Sequence, residues 1–206
     1  GGDKRYADIA RAHANTTLKN HFRPDNSSYH VVDYNPQTGE VIKKVTHQGF
    51  ADASAWARGQ AWGLYGYTMM YRFTKDAKYL SQANKIAAFI LNHPNLPKDK
   101  IPYWDFNAPD IPNAKRDVSA GAIIASALLE LSEYSKGDLK KKYITEATTM
   151  LNALSTTYRS APGANKGFIL QNSVGHLPGN SEIDVSLTYA DYYFLEALDR
   201  YKKWVL

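Results

Sequence analysis

SAWARGQAWGLYGYTMMYRF, residues 54–73, decides how the rest of the chain is read. Apolar and small residues recur through it at helical spacing, which predicts an α-helix. Yet the helix would carry Gly59, Gly63 and Gly66, each costing about 1 kcal/mol against Ala in a helix interior. Three such residues predict that something approaches this backbone closely. Ser54, Arg58 and Trp62 are spaced by four and share one face. An Arg fork grips a carboxylate at two points, and an indole one turn away offers a flat apolar surface to a sugar ring. This face therefore suits an acidic saccharide. An Arg paired with a structural carboxylate beside a core Trp would give the same spacing.

Outward from this segment, the same periodicity predicts helices near 3 to 20, 54 to 73, 77 to 93, 117 to 135, 138 to 156 and 183 to 203. Leu80, Ala83, Ala87, Ile90 and Leu91 share one face of the third, and Ala120, Ile123, Ile124, Ala127, Leu128 and Leu131 share one face of the fourth. Stripes this broad need neighbours. Ser181-Glu182-Ile183-Asp184 matches a capping box, so Asp184 reads as a helix cap rather than an acid catalyst. Asp117, just ahead of an Ala-rich helix, reads the same way. No repeat of fixed period occurs, but helices arriving in successive pairs predict stacked α-hairpins. The first helix begins essentially at residue 1 with no closing element, so partner helices are expected to be missing.

Between the first two helices, Tyr29 to Tyr34 and Glu40 to Val45 are β-rich runs joined by Asn35-Pro36-Gln37-Thr38-Gly39, which predicts one hairpin. With Tyr34 opposite Glu40, His30 faces Lys44, and His47 lies three positions beyond it. Both histidines then sit at the hairpin's open end, near the helix that begins at Ser54.

Composition bounds the class. With 44% hydrophobic and 22% charged residues, the chain reads as a soluble globular body of one domain or part of a larger one. No apolar run approaches the roughly 20 residues needed to cross a bilayer, so no membrane partner is expected. Cysteine is absent, which removes disulfides, thiolate nucleophiles and Cys-ligated zinc and leaves the compartment open between cytoplasm and periplasm. The net charge of +5 suits an anionic partner. Lys43-Lys44 and Lys140-Lys141-Lys142 are too short to track a nucleic acid, so no such partner is expected.

The six histidines form neither HExxH nor an i, i+4 pair, so no metal and no cofactor are expected. His13, His21 and His93 read as structural, whereas His30 and His47 draw interest by position. Gln48 adds a neutral donor and acceptor suited to sugar hydroxyls. Asp52, Asp105, Asp110 and Asp191 are available as glycosidase carboxylates, but the sequence sets none of them in a buried or paired environment. Tyr103-Trp104-Asp105-Phe106 reads either as the lining of a sugar groove or as a plug of the core.

The 54–73 segment closely resembles the signature helix of the unsaturated glucuronyl hydrolases, glycoside hydrolase family 88. The resemblance extends to SSYHVVDYNPQTGEVIKKVTHQGFADAS (27–54), RDVSAGAIIASALLELS (116–132) and DVSLTYADYYFLEAL (184–198), so it covers nearly the whole chain. It implies an all-α fold, a six-hairpin α/α toroid of which residues 1–206 supply the C-terminal half of one catalytic domain. It also implies the chemistry. An Asp protonates the C4=C5 double bond of a 4,5-unsaturated uronic acid at the non-reducing end of a lyase-generated oligosaccharide, and activates water to add at C5. The hemiketal opens and releases the next sugar, which makes the expected partner an unsaturated uronic-acid oligosaccharide.

By the same resemblance His30, His47, Gln48, Arg58 and Trp62 line the subsite for the unsaturated sugar, with Arg58 holding the uronate and Trp62 stacking. The family's Asp-Asn-Met-Met-Asn-like segment, which carries the principal catalytic Asp, does not occur in this chain. No catalytic residue is therefore expected in it; the Asp is expected upstream of Gly1. An isolated half is expected to be inactive, and to self-associate or to sit beside a second polypeptide carrying the other helices. Two alternatives stand beside this reading: the family 105 unsaturated rhamnogalacturonyl hydrolases, which share toroid and chemistry, and a noncatalytic fragment that binds acidic glycans.

Overall fold

A computed structural model describes residues 2–206. Six helices follow in order: α1 Lys4–Asn20, α2 Ala57–Thr74, α3 Ala77–Asn92, α4 Val118–Glu133, α5 Gly137–Thr156 and α6 Thr188–Trp204. Every helix expected from periodicity is present, and only the start of α6 departs materially. The apolar stripes of α2 and α3 pack together as one α-hairpin, and those of α4 and α5 as another. Helix α4 also lies against α2 and α6, so α2, α4 and α6 form one layer with α3 and α5 behind it.

Helix α4 is rich in Ala and Leu, which favour helix, and it is apolar on all sides. Its residues Val118 to Ser132 are all buried. Asp117 does cap it, accepting from the Ser119 amide at 3.1 Å. Helix α1 is different in kind. Ala14 is its one buried residue, and it is held by two hydroxyls from its neighbours, Tyr67 donating to the Ala14 carbonyl and Tyr79 to the Asn15 side chain.

The expected hairpin exists as β1 Val31–Tyr34 and β2 Val41–Val45, but its register differs. Lys44 faces Val32 rather than His30, and Tyr34 faces Val41 rather than Glu40. The loop closes one residue later than expected, because Asn35 donates to the Glu40 carbonyl while its side chain accepts from the Gln37 and Thr38 amides. An irregularity between Asp33 and Tyr34 then slides the strands by one more position. His30 consequently lies beside Thr46, not Lys44.

A second hairpin, β3 Ser173–His176 with β4 Ser181–Val185, corrects the expectation of a single one. The residues read as a capping box are strand β4, and α6 starts at Thr188 without a side-chain cap. Tertiary partners outcompete the cap. Ile183 pairs with Val174, and the Asp184 carboxylate accepts from Asn172 at 2.7 Å and Lys115 at 2.9 Å. Asp184 is thus neither a cap nor an acid catalyst placed in a cavity. Tyr103-Trp104-Asp105-Phe106 is a core plug: all four residues are buried.

Candidate active site

The N-terminal end of α2 holds the residues with the most unusual surroundings. Arg58 is 3% exposed, so its charge must be met inside the protein. Its Nη1 donates to Asp117 at 3.0 Å, to Ser119 at 3.3 Å and to the Val174 carbonyl, and its Nη2 donates to the Gly175 carbonyl at 2.6 Å. The guanidinium lies 4.6 Å from the centroid of the Trp56 ring. One side chain therefore ties α2 to the cap of α4 and to strand β3. The structural pairing considered for this residue is real, and much of its fork is engaged within the chain.

His30 comes next, just ahead of β1. Its Nδ1 accepts from the His47 amide at 3.0 Å and the Gln48 amide at 3.1 Å. Its ring lies against Trp56 with centroids 4.3 Å apart. Burial, and then electrostatic interaction with His47, Arg58 and His176, hold its pKa down to about 4. Gln48 donates through Nε2 to the Gly175 carbonyl at 2.7 Å, the same oxygen that Arg58 clasps. The open end of the first hairpin and the second hairpin are thereby joined.

These residues border a cavity of about 690 Å³. His30, Gln48, Trp56 and Trp62 stand in its wall, with Ala14 of α1 opposite. Trp62 is 37% exposed, with Tyr193 edge-on to it at 5.2 Å between centroids. The cavity exists partly because α2 lacks side chains at Gly63 and Gly66. A Cβ at Gly66 would meet nothing within 4 Å, whereas one at Gly59 would come within 3.0 Å of the Trp56 ring. Close approach thus explains Gly59 alone. Neither Arg58, which is buried, nor His47, which is exposed, lines the cavity, and no Asp or Glu of the described chain does.

Of the four carboxylates weighed from sequence, Asp110 is exposed and outside the cavity lining, and the other three have other occupations. Asp105 is fully buried and accepts from the Phe50 and Asn107 amides and the Ser54 hydroxyl. Asp52 accepts from the Thr46 amide, and Asp191 from the amides of Ile169 and Leu170. They pin loops. Two residues at the site escaped the sequence reading. Trp56 was within reach of it, two positions before Arg58 in the same motif. His176 was not, since nothing in SVGH signals that its ring lies 4.5 Å from that of His47. Among the described residues no group of three or more His, Asp or Glu is arranged to hold a metal ion, and no helix is long and apolar enough to cross a membrane.

No family model matches the chain. Individual proteins do. An unsaturated glucuronyl hydrolase of Formosa agariphila is 52% identical over 206 residues, which is all of this chain and 51% of that protein. A crystal structure of an unsaturated glucuronyl hydrolase specific for heparin superposes with a TM-score of 0.95 at 54% identity, covering 98% of this chain and 54% of the other. A variant of the Streptococcus agalactiae enzyme, crystallised with dGlcA-GalNAc6S, superposes with a TM-score of 0.86 at 36% identity, over 100% of this chain and 55% of that one. The chain spans about half the length of the curated relatives it matches.

Proposed function

From the premise that this chain belongs to the unsaturated glucuronyl hydrolase family, we propose that it forms one wall of the site at which a 4,5-unsaturated uronic acid is removed from an oligosaccharide by hydration of its C4=C5 bond. The observation that carries this reading is the wall itself. Trp62 offers an exposed aromatic face, and His30 and Gln48 stand beside it as polar groups without a charge of their own. Apolar stacking with sparse, placed hydrogen-bonding groups is what a sugar subsite needs. His47 and Arg58 back that wall, through the His47 amide on His30 and the Arg58 fork on β3. These relatives are named unsaturated glucuronyl hydrolase or unsaturated chondroitin disaccharide hydrolase rather than rhamnogalacturonyl hydrolase, which supports the family 88 reading over the family 105 one.

Hydrating an enol ether requires a proton donor, and the cavity wall contributed by this chain carries no carboxylate. We place the catalytic Asp in polypeptide preceding Gly1, together with the helices that face α1 and α2. Tyr6, Ile9 and Phe73 are 74%, 64% and 74% exposed, which supports association of this chain with a further polypeptide or with itself.

The test is an assay following loss of the double bond's ultraviolet absorbance on an unsaturated disaccharide. The 206-residue chain alone should give no turnover, and the longer protein should. In that longer protein Trp62→Ala should lower kcat/KM by roughly tenfold, about 1.4 kcal/mol, while leaving the fold intact. Turnover by the isolated chain, or an indifferent Trp62→Ala, would overturn the assignment.

A further inference from the structure

The two amides that converge on His30 determine more than its position. A ring nitrogen that accepts an N–H cannot carry a proton of its own, so the neutral ring's single proton must be on the other nitrogen. The His47 amide at 3.0 Å and the Gln48 amide at 3.1 Å both occupy Nδ1. Protonating that nitrogen would require both amides to turn away, and each would then lose its acceptor in a partly buried place.

The Gln48 amide belongs to the peptide unit whose carbonyl is that of His47, and His176 Nε2 donates to that carbonyl at 2.9 Å. A chain of hydrogen bonds therefore runs from His176, through the His47–Gln48 peptide, to His30. Donation to a peptide's oxygen polarises it and strengthens its N–H as a donor, so His176 reinforces the bond that excludes a proton from Nδ1.

We propose that in the neutral pH range His30 is held as an uncharged imidazole protonated on Nε2 alone, serving there as a hydrogen-bond donor rather than as an acid or base, and that His176 is the positioning residue that holds it so. The groups around the ring agree. His47, Arg58 and His176 are all positive or able to become so. The nearby carboxylates are committed elsewhere: Asp52 to the Thr46 amide, Asp105 to the Phe50 amide and Ser54, and Asp117 to Arg58. None neutralises an imidazolium at position 30. In the reaction proposed above, on which only the identity of the acceptor rests, Nε2–H donates to an oxygen of the unsaturated sugar. It takes no part in moving the proton to the double bond.

The experiment uses the chain with isotope-labelled histidine rings and follows their nitrogen resonances from about pH 8 to about pH 5. His30 is identified by its through-space contact with the Trp56 ring. It should show a bare Nδ1 and a protonated Nε2 across the whole window. Conversion to imidazolium near the ordinary histidine value, or a proton on Nδ1, would overturn the proposal. His176→Ala should shift the His30 titration upward, and His176→Asn, whose side-chain amide can donate to the same carbonyl, should restore it. A His30 titration indifferent to both variants would remove His176 from the role, and the wild-type spectrum decides the tautomer even where a variant fails to fold. No substrate is involved, so a failed hydrolysis assay leaves this inference standing, and a failed spectrum leaves the hydrolase reading standing.

Discussion

Asp3 and Asp117 do the same local job in opposite surroundings. Each caps a helix by accepting from the amide two residues on, at 2.9 Å and 3.1 Å, and each pairs with an arginine, Arg5 or Arg58. Asp3 is exposed and heads α1, of which only Ala14 is buried; Asp117 is fully buried and heads α4, buried along nearly its whole length. An exposed pair is screened by water and contributes little, whereas a buried pair is costly to break because the surviving charge stays in low dielectric. The same cap motif is thus an ornament of one helix and a tie between three elements in the other.

The sharpest way to break this comparison is Asp117→Ala, which strips the cap from α4 and leaves Arg58 buried without its carboxylate. Denaturant melts should show a loss of about 3–5 kcal/mol; a loss under about 1 kcal/mol would mean that the carbonyls of Val174 and Gly175 suffice for Arg58. Leu128→Ala probes the packing of α4 without touching its charge. It should cost about 2–5 kcal/mol, with the spread set by how far the neighbouring stripes collapse into the gap.

A smaller effect comes from acid. His30 has a folded pKa near 4, below the ordinary histidine value of about 6.5, so the unfolded chain takes up the proton first. The stability His30 contributes is present above about pH 6.5 and is lost as pH falls from there through about 4. His21 and His93, also lowered chiefly by burial, act in the same direction. Melting midpoints should fall across this window, and His30→Gln should flatten that fall. At the bottom of the order, Ile9→Ser on the open face of α1 should change the stability of the isolated chain by less than about 0.5 kcal/mol, and Asp3→Ala should not shift its melt measurably. A large loss at Ile9 would mean that this face is already covered in solution.

The helices were legible because each carries its own periodicity: the stripes of α3 and α4 predict both their faces and their need for partners. The Asp117 cap was legible for the same reason, since a cap is a short-range event. The register of the first hairpin was not, because it depends on Asn35 closing the loop against Glu40 and on an irregularity beside Tyr34. Strand β4 was misread as a helix start because its cap-like residues found partners at Lys115 and Asn172, which are distant in sequence or hidden in a loop.

For the site, the sequence by itself determined that α2 would present Arg58 and Trp62 on one face, because a spacing of four is enough to put them there. Only the tertiary structure decided how they differ, with Arg58 drawn inward by Asp117 and the β3 carbonyls and Trp62 left at the cavity wall. Likewise a lone histidine before a β-rich run says nothing of its protonation. That was settled when two amides from residues 47 and 48 and the ring of His176 were brought to one place, and hydrogen-bond direction depends on which groups meet, which periodicity does not encode.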